Sequence, residues 1–412
     1  MSLGRCLLGL ALLSSVSSHV CADAYTEAIF EATQQHPAYT TFLAVKNSAE
    51  SLANIESAKR FPKVDGIASR VDGRSTLVTS PNAWQTGLSS SYPLFDNGRQ
   101  NASDRISRGQ AQVEIGTALI PLEQASIDLA GAYLRAWEAQ QSLKELDTAL
   151  AIGAKFISTI QPQLEANEVS QISYSKILTR SLGFKTKRIE AAQRYQSASA
   201  YWRSVGLELP ATWVLPSLKE WRDSKLPNGK LIKIRGELEK VDAEVEYAKR
   251  DEGPSVDLQA SFLTRKFATD GAPWTPYQTW QISGSYPFYD GGLRSAKTDR
   301  QVQLKAAKET EKQAETQLSE VESKRLREEI SSALELVKEA QQQCALQAKL
   351  GEQISERFAL GRGEAQDVIE GHFALAECRL TLLRTQADAY LKYNDWMRVT
   401  GKWASKFAGE DE

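Results

Sequence analysis

Four short stretches of the chain alternate apolar and polar residues with a period of two. They occupy residues 256–262 and 280–288 in the second half, 84–92 in the first half, and a weaker stretch over 64–71. A period of two with one polar face predicts half-buried β-strands. Each strand has roughly 10 to 12 residues, which is enough for a tilted strand to cross a bilayer.

A long helical pattern follows each strand pair. After Asp96 and Asp290 the apolar residues step by three and four for about 65 residues, the spacing of an α-helix. An aspartate at this position can accept hydrogen bonds from the free N–H groups of the first helical turn. Residues 326–344 and 369–390 form heptad seams with charged flanks, which predicts coiled-coil packing.

The chain also contains an internal repeat. Tyr92-Pro-Leu-Phe-Asp-Asn-Gly98 returns as Tyr286-Pro-Phe-Tyr-Asp-Gly-Gly292, at an offset of 194 residues that also relates Trp202 to Trp396. We therefore predict two tandem repeats, each with a helix, two strands, a long helix, a reversal and another long helix. The strand-to-helix junctions are Tyr92, Pro93, Asp96 and Gly98, and Tyr286, Pro287, Asp290 and Gly292.

The predicted domain limits follow from this repeat and from the first residues. Residues 1–22 combine Arg5, an apolar run and small residues before a cut after Ala22, which is typical of a secretory signal peptide. The first repeat then covers 23–206 and the second 229–403. A connector, 207–228, joins them, and a short tail, 404–412, follows.

Charge and composition exclude several classes of function. Lys and Arg number 50 against 52 Asp and Glu, with a net charge of −2 and a pI near 6.1, so a nucleic-acid partner is not expected. The chain has three His and four Cys, and it shows no phosphate-binding loop and no nucleophile with a base at a known spacing. We expect no catalytic residues, no cofactor and no metal site.

Four strands cannot close a membrane barrel. The smallest common barrel has eight strands, and in lipid every strand edge must be paired. Several copies of the chain would therefore have to share one barrel.

The motifs together resemble the TolC-like outer-membrane efflux protein family. The resemblance rests on the two Tyr-Pro-Φ-Φ-Asp-x-Gly junctions, on residues 357–369 (RFALGRGEAQDVI), and on the Ala-rich helix that ends at Thr400-Gly401. It covers residues 23–403. It implies a mainly α fold with membrane β: a homotrimer that shares a twelve-stranded β-barrel, four strands per chain, continued by a long α-helical coiled-coil barrel.

This resemblance also implies a function and partners. The expected function is a passive exit channel of a tripartite efflux or type I secretion machine in the outer membrane of a Gram-negative bacterium, with a long periplasmic part. A periplasmic adaptor protein and an inner-membrane transporter would open its helical tip, and outer-membrane lipid would surround the barrel. A periplasmic coiled-coil scaffold or adaptor without a barrel of its own stays open as an alternative. The cargo is left open between drug, metal ion and secreted polypeptide.

Residue roles are expected at the helical tip. Gly361, with Arg362 after it, marks the helix reversal and the adaptor contact, and Asn167 stands at the matching place in the first repeat. The resemblance places a periplasmic entrance constriction at Asp367 and Glu370, which share one helix face. A ring of carboxylates from several copies would select cations. Alternatively, Asp367 and Glu370 form a solvated acidic surface at the end of a helix, with no role in a constriction.

Two further features have alternative readings. Cys344 and Cys378 each lie 17 residues from Gly361, so antiparallel helices would bring them to one height, where a disulfide could form in an oxidising compartment. Register and side-chain direction leave this bridge open. Six aromatic residues suit membrane interfaces, with core packing as the other reading. They are Trp84, Trp274, Tyr277, Trp280, Tyr286 and Tyr289.

Overall fold

The fold was obtained as a computed structural model, which describes residues 13–71, 83–166, 170–218, 226–267, 271, 273–286 and 288–408, with side chains from residue 24 onward except at 53 and 71. The elements are α1 (Leu13–Gln34), α2 (Pro37–Ala58), β1 (Lys63–Val71), β2 (Ala83–Phe95), α3 (Arg99–Glu165), α4 (Gln171–Ser204), α5 (Gly229–Arg250), β3 (Ser255–Phe267), β4 (Thr275–Ser285), α6 (Leu293–Ala359), α7 (Ala365–Val399) and α8 (Lys402–Ala408). The second half shows the predicted order of a helix, two strands and two helices, whereas the first half has two helices, α1 and α2, before its strands. None of the described helices is apolar enough, over a sufficient length, to cross a membrane.

The two long helices, α3 and α6, have 67 residues each and begin in the same way. Asp96 accepts hydrogen bonds from the backbone N–H groups of Gly98 (2.9 Å) and Gln100 (2.6 Å). Asp290 accepts two equivalent bonds, both of 3.1 Å, from the second and fourth residues after it. Both aspartates therefore stabilise the first turn of a helix, as the sequence predicts.

The four strands form one antiparallel sheet in the order β1-β2-β3-β4. The bounds of β4 differ from the prediction: it begins at Thr275 rather than Trp280 and ends at Ser285, before Phe288. Pro276 lies opposite Thr264 of β3, and within a single chain β4 is an edge strand, the position where proline is found in sheets. Beyond Ser285 the strand has no partner, because Ser285 pairs with the first residue of β3.

The chain divides into two compact units that do not coincide with the two sequence repeats. The first unit takes residues up to Thr41, Leu119–Asn228 and the chain from Gln317; the second takes Phe42–Ala118 and Gly229–Thr316. Both units draw on both halves of the sequence. The reason is that each of the long helices α3 and α6 contributes residues to both units.

The core of the first unit joins residues of α3, α4 and α7. Phe184 of α4 and Phe373 of α7 are buried and stack with ring centroids 4.5 Å apart. Ile160 and Ile369 belong to the same cluster. Burying one such side chain fully contributes about 1.5–3 kcal/mol. The heptad seam predicted for α7 therefore faces this core.

The connector and the tail also pack within the first unit. Trp213 of the connector meets the ring of Tyr133 at 4.9 Å and donates a hydrogen bond to Gln140. Part of the predicted tail is helical, since α8 reaches Ala408, and Phe407 packs 5.2 Å from Phe30 of α1. Residues 409–412 lie outside the described part of the chain.

In the second unit, α3 and α5 touch backbone to backbone along four glycines. A Cβ atom added to Gly116 would lie 2.4 Å from the backbone nitrogen of Lys233 and 2.9 Å from the carbonyl oxygen of Gly229. Gly109 and Gly236 show the same close approach one heptad away. The sequence signal is a pair of glycines seven residues apart in each helix, and our sequence analysis did not detect it.

An ion-pair cluster flanks the glycine contact. Asp242 of α5 accepts hydrogen bonds from Lys305 of α6 (2.6 Å) and Arg105 of α3 (2.8 Å). The bond from Lys305, together with that from Arg105, lowers the pKa of Asp242 although partial burial opposes the shift. Asp242 thus joins three helices of this unit.

Candidate functional site

The reversal between α6 and α7 is closed by backbone hydrogen bonds. The N–H of Arg362 donates to the carbonyl of Arg357, and the N–H of Gly361 donates to that of Phe358, both at 2.9 Å. These are the two bonds of a Schellman motif at a helix C-terminus, in which the first residue after the helix cap adopts the left-handed conformation. Gly361 has that conformation, with a φ of +70°. The glycine predicted at this reversal is therefore explained by backbone geometry.

Asp367 and Glu370 are exposed on the first turns of α7. Asp367 lies close to the helix N-terminus, where a negative charge is favoured. Glu370 accepts a hydrogen bond of 3.0 Å from the Nε2 of Gln366. It also lines a groove of about 610 Å³ together with Lys176 and Arg180 of α4. Within one chain both carboxylates are therefore accessible to solvent.

Below this groove, ion pairs join the helical hairpins of the first unit. Glu377 of α7 accepts hydrogen bonds from Arg180 (3.0 Å) and Lys187 (2.8 Å) of α4. Arg379 of α7 donates to Glu145 of α3 at 3.1 Å. Sequence reasoning missed these contacts because charged residues on adjacent helix faces look the same whether they meet solvent or each other.

The matching reversal in the first repeat falls partly outside the described residues. Asn167, proposed as the counterpart of Gly361, lies outside the described residues, and so does Pro287 of the second strand-to-helix junction. The next helix, α4, is capped by Ser170, whose hydroxyl accepts a hydrogen bond from the N–H of Ile172. The two reversals therefore differ in the residue that starts the following helix, a serine cap here and Glu364, without a side-chain cap bond, before α7.

A disulfide joins Cys344 of α6 to Cys378 of α7, with Cα atoms 5.5 Å apart. Cys344 is buried on the seam between the two helices. The bridge closes a loop with a sequence separation of 34 that contains the reversal at Gly361. It therefore fixes the register of α6 against α7.

The sheet has one apolar and one polar face. Residues directly opposite each other on neighbouring strands share a face. The register places these apolar residues together on one face: Val64, Trp84, Leu88, Leu258, Phe262, Trp280 and Ile282. Trp280 and Ile282 are 65% and 69% exposed, so the apolar face is uncovered in a single chain. The other face carries Gln85, Ser89, Gln259, Ser261, Thr279, Gln281 and Ser283.

One of the predicted interface aromatics lies on the polar face. Tyr277 pairs with Leu263 on the polar side, opposite in face to Trp280. Its hydroxyl donates a hydrogen bond to Gln85 (3.2 Å), and the guanidinium of Arg265 lies 5.0 Å from its ring centroid. The expectation that Tyr277 sits at the lipid interface is therefore not supported by the register. The predicted strand began at Trp280, whereas β4 begins at Thr275 and so includes Tyr277, which faces the opposite side from Trp280.

The first strand-to-helix junction is held by the end of α5. The side-chain amide of Asn97 donates to the carbonyl of Arg250 (2.9 Å), and Arg250 donates back to the carbonyl of Asn97 (3.0 Å). Arg99 pairs with Asp251 at 3.2 Å. The second junction differs, since Phe288 and Tyr289 are 92% and 91% exposed. The matching residues of the first junction, Leu94 and Phe95, are 49% and 50% exposed, so the second junction is the more exposed of the two.

Comparison with solved structures identifies the architecture. The outer-membrane protein VceC of Vibrio cholerae matches with a TM-score of 0.74 and 14% identity, over 92% of this chain and 96% of that one. The outer-membrane channel CmeC of Campylobacter jejuni matches with a TM-score of 0.72 and 14% identity, over 94% and 89%. The chain has the TolC-like channel fold. The open state of the outer-membrane channel MtrE of Neisseria gonorrhoeae gives a TM-score of 0.73 and 15% identity, over 92% and 88%.

The TolC-like fold accounts for the combination of four strands and long helices in one chain. Neither a protein-family model nor a curated protein matches the sequence. The mainly helical fold with a four-stranded antiparallel sheet in each chain, which the resemblance implies, is confirmed.

Proposed function

We propose that this protein is a passive outer-membrane exit channel of an efflux or type I secretion machine in a Gram-negative bacterium. The observation that carries the proposal is the amphipathic sheet on a TolC-like fold. Its apolar face suits lipid, its polar face suits an aqueous passage, and it ends in strands β1 and β4. Four strands cannot close a barrel, so further copies of the chain would have to supply the remaining strands.

Contacts within the chain support closure by identical copies, as in a homotrimer. In the chain, β2 of the first half pairs with β3 of the second, and the junction before α3 is covered by the end of α5. The equivalent step between copies would pair β4 with β1 and cover the second junction with the end of α2. Each of these two surfaces carries an exposed phenylalanine. Phe288 lies at the second junction and is 92% exposed, and Phe61 follows α2 and is 71% exposed.

The α6–α7 reversal would form the periplasmic entrance. Asp367 and Glu370 from each copy would surround the passage as a carboxylate ring and favour cations. Gly361 and Arg362, both exposed, would meet the periplasmic adaptor protein, and an inner-membrane transporter would supply the energy. The channel itself then needs no catalytic group. Its cargo is not specified by these features.

The entrance is tested by single-channel recording in planar bilayers. The double variant Asp367→Asn/Glu370→Gln should raise conductance and weaken cation preference, because it removes the carboxylates at the narrowest point. Glu190→Gln is the matched control, since it removes an exposed carboxylate from α4. Equal conductance and selectivity in wild type and the double variant would leave both residues as a solvated acidic face.

Cell fractionation separates this function from a periplasmic scaffold. A barrel shared by several copies should appear in the outer membrane as a species that dissociates only on heating. Recovery in the soluble periplasmic fraction, with no heat-dependent change in mobility, would favour a scaffold without a barrel.

A further inference from the structure

Arg265 occupies a built site on the polar face of the sheet, close to the end that carries the strand-connecting loops. Its Nη2 lies 3.5 Å from the side-chain oxygen of Gln85 and 3.4 Å from the hydroxyl of Tyr277. The guanidinium also stands over the Tyr277 ring at 5.0 Å. Tyr277 in turn donates to Gln85. Three strands therefore fix the position of this one cation.

The charges on the polar face are separated along the strands. Among the described residues, the carboxylates on this face, Asp65 and Asp257, lie near the helix end, and Asp65 is paired with Lys63 at 3.0 Å. Among the residues that the structure describes, Arg265 is the charged residue of this face at the loop end. Its described side-chain partners are a neutral amide and a phenol, so no described carboxylate pairs with it.

We propose that Arg265 is a specificity-determining residue at the outer exit, which attracts anionic groups such as carboxylates on a passing solute. This inference rests on the proposed channel function. Each copy would add one guanidinium to a ring around the aqueous passage, and rings of Arg or Lys favour anions. A guanidinium at this position in every copy would therefore reduce the cation preference of the channel.

A neighbouring residue provides the control. Lys266 has the same charge and lies next in sequence, but its register partner is Trp84, so it belongs to the apolar face. The variants Arg265→Gln and Lys266→Gln make the same change of charge on opposite faces. Arg265→Lys retains the charge, and Gln85→Glu places a carboxylate beside the guanidinium while Arg265 is kept.

The experiment is the reversal potential of single channels in a KCl gradient. One charge close to the ion path changes relative ion permeability by roughly two- to five-fold in a screened, aqueous passage. Arg265→Gln should raise the potassium-to-chloride permeability ratio by that factor, and Gln85→Glu should shift it in the same direction. Lys266→Gln and Arg265→Lys should leave it near the wild-type value. Gln85→Glu serves as the test if Arg265→Gln does not assemble.

Citrate provides a second readout with a carboxylate ligand. Added from the loop side, it should reduce wild-type current and affect Arg265→Gln channels less. Unchanged selectivity and citrate block in both Arg265→Gln and Gln85→Glu would overturn the role of Arg265. A change in the permeability ratio with Lys266→Gln and not with Arg265→Gln would also overturn the proposal, because the apolar face would then line the passage. Failure of the wild-type protein to conduct would refute the proposed channel function itself, which is a separate result.

Discussion

The backbone contact between α3 and α5 gives the sharpest prediction about the fold. Gly116→Ala places a methyl group 2.4 Å from the backbone nitrogen and 2.7 Å from the Cα of Lys233. Neither atom can move without its helix. The two helices would have to separate by about 1 Å to reach an ordinary contact, and overpacking of this kind typically costs about 1–3 kcal/mol.

Replacing glycine by alanine also stabilises a helix, and this effect has to be measured separately in a control variant. Alanine is better than glycine inside a helix by about 0.5–1 kcal/mol. Gly183 of α4 is exposed, and nothing lies within 4 Å of a Cβ added there. Gly183→Ala should therefore stabilise the protein, whereas Gly116→Ala should destabilise it by up to about 2 kcal/mol after the benefit is subtracted.

Thermal unfolding followed by circular dichroism distinguishes the two variants. For units of this size 1 kcal/mol corresponds to roughly 2–4 °C in the apparent Tm. The apparent Tm should fall for Gly116→Ala and rise for Gly183→Ala. The apparent Tm of Gly236→Ala should fall as well, because its Cβ would lie 2.7 Å from the backbone nitrogen of Val113. Equal or higher Tm values for both α3 and α5 variants would refute the close backbone contact.

Three further predictions concern the first and second units. Reduction of the Cys344–Cys378 bridge should lower the apparent Tm, since closing a loop of this length contributes about 3–4 kcal/mol in the chain-entropy account; a double serine variant should lose the response to reductant, and two free thiols in untreated protein would contradict the bridge. Phe373→Ala should destabilise the protein by about 3–5 kcal/mol, measured by denaturant unfolding, because it empties the stack in the first-unit core; a loss below about 1 kcal/mol would show that this site is not tightly packed. Asp242→Asn and Asp395→Asn should act in opposite directions at neutral pH. The ion pairs lower the pKa of Asp242, so the stability that Asp242 contributes is present above the ordinary aspartate pKa and is lost as pH falls. Burial raises the pKa of Asp395 of α7, so its ionised form destabilises the protein until the pH falls through that raised value. Tm measured against pH checks both signs, and parallel curves for the two variants would refute them.

The sequence predicts much of this architecture because its strongest signals are local. Period-two stretches, the aspartate caps and the glycine at the α6–α7 reversal each require a residue type at a fixed place in the backbone. The start of β4 was predicted at Trp280 rather than Thr275 because the apolar–polar alternation is clear only from Trp280 onward. Whether a strand accepts a proline such as Pro276 depends on the place of that strand in the sheet, which the local sequence does not give.

Contacts between distant helices could not be predicted in the same way. Glu377 shows no sequence feature that separates it from a solvated surface glutamate, yet it binds two basic residues of α4. Arg265 lies beyond the alternating stretch 256–262, and its partner Tyr277 was expected to be an interface aromatic. Their joint site depends on strand register, which the alternation alone does not fix.

The central claim is that copies of this chain enclose an aqueous passage through a membrane. Planar-bilayer recording of the purified mature protein, added from one side, tests it most directly. We expect small, long-lived, cation-selective channels, because the sheet has a polar face and the α6–α7 reversal, which we propose as the entrance, is followed by the exposed carboxylates Asp367 and Glu370. A folded, oligomeric protein that never conducts in the bilayer would contradict the claim.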